Sequence, residues 1–384
     1  MESQWKKALL FLNYFQSQGF SAYIVGGAVR DFLLQRKVND FDVVTSASPR
    51  DIEMMFSNAC QPSKQFPTFF IRWQDTQFEV SPFRSILNTL TADLYHRDFT
   101  INAIAMDEKQ NIIDPLCGRV DLNNNIIRAN EPFKRFKEDP LRILRGFRFV
   151  AELGFTLEEK TMEQALNQLF ALKNLPIERV QMEIEKLLRG NKHARALSCL
   201  FSKAVPAFFP ENIKAVYFTR DINRMKMDEL LTITEKWAAF LWLLYGSNAM
   251  DKTGSWKFSN HYKKQIKAIL QFVNHYPDYI PWDKYMVYQT GEELALQIDR
   301  VHQWIYRSNT NFCLIKHLYN SLPIVNRRDL KINGKDIIEV FPCIKKEKIG
   351  VMLKELEKAV VMGRIENQKM EMVTFIKEQL YNER

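Results

Sequence analysis

Two hydrophobic periods divide this chain, and the point where one gives way to the other constrains its fold more than any other feature. Up to about residue 125, short strand-like runs alternate with short helical ones. "AYIV" (Ala22 to Val25), "DFDVVTS" (Asp40 to Ser46), "FFIRW" (Phe69 to Trp73) and "FEVSPFR" (Phe78 to Arg84) read as strands, the last two as an antiparallel pair around a turn at Gln74-Asp75. Between them, "WKKALLFLNYFQSQGF" has helical apolar spacing with a stop at Gly19, "VRDFLLQ" reads as helix, and Ser48-Pro49 opens another with a Ser cap and a first-turn Pro. From about residue 137 the pattern is helical almost throughout, as in "EDPLRILRGFRFVAELG" and "LPIERVQMEIEKLLRG", and strand signals do not return. The pattern predicts an α+β chain: a compact mixed head followed by a long helical body. Pro206–Pro210 and Pro277–Pro281 are its candidate joints.

The 384 residues suffice for two or more domains, and 46% hydrophobic with 26% charged residues predicts a globular, soluble chain. Lys and Arg number 54 against 45 Asp and Glu, a net charge of +9 that suits a polyanion such as nucleic acid and equally suits a basic surface without a partner. The cysteines (Cys60, Cys117, Cys199, Cys313, Cys343) form no CxxC pair, and the histidines show no HxxxH or HExxH spacing. That argues against a zinc site and a disulfide framework, and fits the cytoplasm. No signal peptide opens the chain, and apolar stretches such as "WAAFLWLLYG" are too short to span a bilayer, so no membrane role is expected.

Asp40 and Asp42 flank Phe41 just before the apolar pair Val43-Val44. On a strand, residues two apart share a face, so the two carboxylates lie side by side, which is unfavourable unless a cation lies between them. Upstream, Gly26-Gly27 follows a strand and lets backbone N–H groups approach a phosphate closely. Either feature alone is weak, since a DxD is commonly a solvated strand end. A glycine pair, a helix and then DxD is much more specific. Glu79, on the neighbouring strand, is either a third metal ligand or a surface residue. Alone, "EDPLR" is good helix N-terminal chemistry with no ligand, and "RDF" is a local ion pair.

Taken together, Gly26-Gly27, Arg30-Asp31 and Asp40-Phe41-Asp42 resemble the nucleotidyltransferase signature of the DNA polymerase beta superfamily. "HRDFTINAIA" (from His96), "DPLCGRVDL" (from Asp114) and "EDPLRILRGFRF" (from Glu138) resemble successive motifs of the class II tRNA nucleotidyltransferases, the CCA-adding family. The motifs run in order from residue 24 to about 190. Further on the match is looser, although "DLKINGKDII" and "LEKAVVMGRIENQK" resemble the family's tail. The resemblance implies a polymerase-beta-like head (1–125), a helical neck (126–190), a helical body (191–320) and a tRNA-binding tail (321–384). It implies transfer of CMP from CTP to tRNA lacking its 3′ CCA end, without a nucleic-acid template, by two-metal phosphoryl transfer with Mg²⁺. Asp40 and Asp42 would be catalytic and hold the metals, with Glu79 as a further ligand. Gly26, Gly27 and Arg30 would contact phosphates, and Arg97, Asp98 and Asn102 would read the ribose. Glu138, Asp139 and Arg142 would read the base. On one helix Glu138 and Arg142 are i, i+4 and Asp139 and Arg142 i, i+3; Asp139 can accept from the exocyclic amine of cytosine while Arg142 donates to its O2 and N3. Arg145 and Arg148 would touch the triphosphate or cover that face with solvated charge.

Three departures from the family stand out. The flexible loop expected after the "EVTTFR"-like strand is missing: only Ser85 to Ala92 separates Arg84 from Asp93. In this family that loop is associated with the switch from C to A addition, so the chain is expected to be a CC-adding enzyme working beside a separate A-adding one, the alternative being a full CCA-adding enzyme that also uses ATP. "QFPTFFIRW" stands where relatives tend to carry a His-Gly-Thr turn, and His96 replaces the first Arg of the usual Arg-Arg-Asp. A poly(A) polymerase shares the head motifs but usually carries a basic extension, which this chain lacks. A tRNA-binding protein with a spent site would be expected to have lost Asp40 or Asp42. Lys263-Lys264, Arg327-Arg328 and Lys345-Lys346 are candidate phosphate contacts, although each reads more simply as a solvated pair.

Overall fold

A computed structural model of the protein describes residues 2–38, 40–62, 67–84, 87–202, 226–342 and 344–382. They fall into two compact units, the first containing the described residues through Ser202 and the second those from Met227. The Pro206–Pro210 joint lies outside the described residues, as do Gln65, Phe66, Ser85, Ile86 and Cys343.

The first unit opens with α1 (Glu2–Ser17), β1 (Ala22–Val25), α2 (Gly27–Leu33), β2 (Phe41–Thr45), α3 (Pro49–Met55), β3 (Phe69–Trp73), β4 (Thr76–Pro82) and α4 (Leu90–Tyr95). A 3-10 turn at Thr100–Asn102 leads to β5 (Ala105–Met106), β6 (Ile112–Ile113), α5 (Gly118–Asn123) and β7 (Ile126–Ile127). One six-stranded sheet, in the order β3-β4-β2-β1-β5-β6, carries the head; β2 and β4 are parallel and the other neighbours antiparallel. Local chemistry accounts for its joints. Gln74 and Asp75 both have positive φ (45° and 62°), as the tight β3–β4 hairpin requires. Ser48 and Asp51 form a reciprocal capping box on α3, with Pro49 in its first turn. Phe11 of α1 stacks on Phe78 of β4 with ring centroids 4.1 Å apart, and both side chains are fully buried, which fixes the helix on the sheet.

Helices follow: α6 (Pro132–Glu138), α7 (Leu141–Leu153), α8 (Glu159–Asn167), α9 (Ile177–Arg189) and α10 (His193–Leu200). Leu141, Leu144, Phe147 and Phe149 of α7 are all buried, as their spacing predicts. Two details depart from the sequence pattern. A two-residue strand, β8 (Thr156–Leu157), pairs in parallel with β7 inside the stretch read as helical. The helix expected through "EDPLR" is broken: α6 ends at Glu138, Asp139 is extended (φ −143°, ψ 99°), and α7 begins after Pro140. A residue before proline is driven out of the helical region, so Asp139 does not share a helix with Arg142.

The second unit is helical, from Ile233–Tyr245 through Lys369–Asn382. Trp237, Phe240 and Trp256 are buried together in one part, and Ile324, Ile337, Leu356, Val360 and Met372 in another. Pro277–Pro281 joins the helices Asn260–His275 and Lys284–Thr290 within this unit. Among the described residues no helix is long and apolar enough to cross a membrane. The α+β reading, a mixed sheet in the head and a mostly helical remainder, therefore holds.

Candidate active site

Strand register brings the head's functional side chains together. Val25, the last residue of β1, pairs with Asp42 on β2, and Asp42 pairs with Glu79 on β4. Gly26-Gly27, Asp42 and Glu79 therefore sit side by side where three strands meet, with Asp40 exposed at the entry to β2. Gly26 has φ 71°, and a Cβ there would lie 3.2 Å from Arg97 Nη1 and 3.6 Å from Asp42 Oδ2. Glycine is needed both for the backbone and for the room. Burial pushes the Asp42 carboxyl above its ordinary value against the pull of Arg97 and Arg84, and Asp40 adds to the rise. Glu79 is raised by its own burial and then by the charge of Asp42. Three mutually repelling carboxylates thus line one cavity.

A buried polar network forms the next wall. Arg30 holds Asp31 through Nε and Nη2 (3.0 and 3.1 Å) and donates Nη1 to Asn102 Oδ1 at 2.8 Å. Asn102 donates to Asp98 Oδ1 (3.4 Å), which also accepts the Phe99 N–H, and Asp98 Oδ2 accepts from Arg145 Nε at 2.7 Å. Burial alone would raise Asp98, but Arg145, the Phe99 N–H and Asn102 outweigh it and lower the carboxyl to about 2. The "DPLCGRVDL" stretch supports the turn that carries Asn102: Asp121 accepts from Thr100 Oγ1 at 2.7 Å, and a Cβ on Gly118 would lie 2.2 Å from the Thr100 carbonyl oxygen.

The α6–α7 junction makes the third wall. Glu138 bridges Arg135 (2.6 Å) and Arg142 (3.2 Å); the pair with Arg142 forms, but across the break between α6 and α7 and not along one helix as expected. Arg142 also donates to the carbonyls of Arg135 and His96, each at 3.4 Å. His96 therefore contributes its backbone here, while its ring Nδ1 lies 3.2 Å from Arg135 Nη1. Asp139 accepts the Leu141 N–H at 3.1 Å and pairs with Arg179 of α9 at 3.2 Å. Arg148 Nε faces Glu183 Oε2 at 3.1 Å, an ion pair whose alignment falls short of a hydrogen bond. These walls enclose a cavity of about 720 Å³, a size suited to a small-molecule ligand. Every residue expected to hold metal or nucleotide lines it except Glu138, which reaches it only through its ion pair with Arg142. Among the described residues, no three carboxylate, imidazole or thiol groups converge as a ready-made metal cage.

Comparisons with known proteins identify this architecture. A family model described as the poly A polymerase head domain matches residues 22–128, and one for tRNA nucleotidyltransferase domain 2 matches residues 229–376. A CC-adding tRNA nucleotidyltransferase of Halalkalibacterium halodurans is 34% identical over 381 residues, covering 98% of this chain and 99% of that protein. The chain belongs to the tRNA nucleotidyltransferase family. It is accordingly an enzyme, and it spans the length of its relatives. A CCA-adding enzyme of a Geobacillus strain is 31% identical over 386 residues, covering 96% of each chain. The crystal structure of the Bacillus stearothermophilus CCA-adding enzyme in complex with CTP superposes with a TM-score of 0.90 at 32% identity, over 100% of this chain and 99% of that one.

Within this tRNA nucleotidyltransferase, sequence reasoning passed over three residues of the site. Asp93, fully buried, accepts the Arg84 N–H and Arg97 Nε, each at 3.1 Å, and so ties the start of the short connection after β4 to a residue just past α4. Its i, i+4 relation to Arg97 was visible in the sequence; its hold on Arg84 was not. Arg179 and Glu183 arrive from α9, far along the chain from the groups they meet, with no local signal.

Proposed function

We propose that this tRNA nucleotidyltransferase transfers CMP from CTP to tRNA lacking its 3′ CCA end and stops after two cytidines, leaving the terminal A to a separate enzyme. The observation that carries this reading is the connection after β4. Only residues 83–89 separate Pro82 from α4, and Asp93 on that helix clamps Arg84 and Arg97 together. Accepting ATP after CTP requires the pocket to change size and hydrogen-bond partners, and a connection of so few residues, held at Arg84, leaves too little chain for a lever. The resemblance to loop-deleted members of the family and the CC-adding relative support the same reading. The second reading, a full CCA-adding enzyme, is favoured by the many relatives of that name.

Asp40 and Asp42, with Glu79 beside them, would hold Mg²⁺. The fit is chemical: hard oxygen donors carry like charge that Arg97 and Arg84 offset only in part, and Mg²⁺ usually takes one or two carboxylates, with waters and substrate phosphates completing its shell. When bound, a pair of such ions supplies activation of the tRNA 3′-hydroxyl and charge stabilisation of the leaving pyrophosphate. Gly27, at the start of α2, offers its backbone N–H to the phosphates, while Gly26, whose own N–H is taken by the Ile104 carbonyl at 3.3 Å, gives them room for close approach; Arg30, Arg145 and Arg148 supply positive charge; Arg97, Asp98 and Asn102 face the ribose. In this reading the head, neck, body and tail divide as the resemblance implies, with tRNA held by the helical portions and the reaction placed in the cytoplasm.

Asp139 and Arg142 would read the base. A guanidinium carries five N–H donors, and Arg142 commits three of them to Arg135, Glu138 and His96. Two remain, which matches the O2 and N3 acceptors of cytosine; uracil presents an N3–H there instead. Glu138 is thus a positioning residue for Arg142. Arg142→Ala is expected to lower the preference for CTP over UTP about 10- to 100-fold, the worth of one good base contact. Steady-state kcat/KM for the two nucleotides measures it, and an unchanged ratio would move base reading elsewhere.

The proposed activity is tested with a tRNA transcript ending at the discriminator base, Mg²⁺, and either CTP alone or CTP plus ATP, with the 3′ ends sequenced. Two cytidines and no A in both mixtures is the expected result. A complete CCA end would overturn the CC-only reading, and no addition would overturn the site.

A further inference from the structure

Three guanidiniums converge on one aromatic ring inside the cavity. The Cζ atoms of Arg148, Arg30 and Arg145 lie 4.4, 5.2 and 5.9 Å from the centroid of the Phe149 ring. Arg30 comes from α2 in the head, and the other two from α7. Phe149 is 2% exposed and meets Phe99 edge-on, with centroids 5.6 Å apart. Three like charges so placed repel one another, and each is anchored by its own carboxylate: Arg30 by Asp31, Arg145 by Asp98, Arg148 by Glu183. No carboxylate in these ion pairs joins two of the three guanidiniums. The electronegative face of the ring is what the three arginines share.

The anchors also leave donors unspent. Arg145 meets Asp98 through Nε and Nη2, and Arg30 commits one N–H on each of its three nitrogens. The remaining N–H groups belong to residues that line the same cavity as Gly26, Gly27 and Asp42. A polyphosphate offers acceptors on successive phosphates, and a fixed fan of guanidiniums suits it better than isolated charges do.

We propose that Phe149 is a positioning residue that gathers Arg30, Arg145 and Arg148 into one cradle for the triphosphate of the incoming nucleotide. This rests on the reading of the cavity as the CTP site and adds what sets the spacing of its phosphate-binding groups. Phe149 touches no substrate atom in this scheme. Its effect passes through the arginines, so it scales with the number of phosphates on the ligand and is indifferent to the base.

The test compares the full-length protein with Phe149→Leu and with a variant carrying pentafluorophenylalanine at position 149, which keeps the ring's shape and reverses its quadrupole. Binding of CTP, UTP and CMP is titrated without tRNA, and KM and kcat are measured with it. Both variants should bind CTP about tenfold more weakly, with the loss in KM, while CMP affinity falls far less and the CTP-over-UTP preference stays as in the wild type. Equal weakening of CTP and CMP would mean a merely structural ring and overturn the proposal, as would unchanged CTP affinity in the fluorinated variant, which remains decisive if the leucine variant does not fold. A wild-type protein that binds CTP no more tightly than CMP would overturn the cavity reading itself.

Discussion

Replacing Asp42 with Asn should reduce nucleotide transfer by at least about 10³-fold, the scale on which one charge-stabilising group acts in phosphoryl transfer, and at the same time raise the melting temperature of the metal-free protein. The two effects have one cause. Asp42 is held in register between Val25 and Glu79, withdrawn from water and close enough to Asp40 for that charge to push its carboxyl upward. Near neutral pH the ionised pair therefore costs stability that a cation recovers. Asn removes the charge at nearly the same volume. Mg²⁺ should accordingly stabilise the wild type more than Asp42→Asn, and tRNA binding should survive, because the phosphate-binding surface is untouched. Single-turnover extension of a tRNA ending at the discriminator base gives the first effect, and thermal melts with EDTA and with Mg²⁺ give the second. A variant that melts below the wild type in EDTA, or that responds to Mg²⁺ equally, would remove the proposed metal role from Asp42.

The parts of the site that were legible in the sequence are those whose chemistry is local. Gly26-Gly27 and Asp40-Phe41-Asp42 each lie within a few residues, and strand alternation alone places the two carboxylates at one strand entry. The turn at Gln74-Asp75 and the cap at Ser48 were equally local, and both formed. Asp139 shows how two local signals can conflict. Helical periodicity runs straight through "EDPLR", whereas Pro140 drives Asp139 out of the helical region, and the steric rule prevails. That break turns Asp139 toward α9, where Arg179 meets it. The strand Thr156–Leu157 was invisible for another reason: two residues cannot display a period, and pairing with Ile126–Ile127 defines it. The ion pairs to Arg179 and Glu183, and the gathering of Arg30 with Arg145 and Arg148, are tertiary facts with no sequence pattern of their own.

Asp98→Ala should be among the most destabilising single changes in the first unit, costing about 3 kcal/mol. Its carboxylate accepts from the Phe99 N–H, the Asn102 amide and Arg145, and Asn102 in turn holds Arg30. Without it, Arg145, whose side chain is partly exposed, is left near Arg30 and Arg148 with its counter-charge gone, and Asn102 loses the acceptor that orients it toward Arg30. The pH dependence has a definite sign. The folded carboxyl titrates at about 2, below its ordinary 3.8, so its contribution is complete above 3.8 and is lost as the pH falls from there toward about 2. The stability gap between wild type and Asp98→Ala should therefore be widest near neutral pH and narrow on acidification through that window. Urea unfolding combined with hydrogen exchange of the α7 amides, at neutral pH and again at acid pH, reads the gap in this unit specifically. Asp98→Asn separates charge from shape: it keeps an acceptor for the Phe99 N–H but no counter-charge for Arg145, so it should fall between the two and lose most of the pH dependence. A gap of constant size across the acid range would mean that packing around Asp98, and not its charge, holds Arg145 and Asn102 in place.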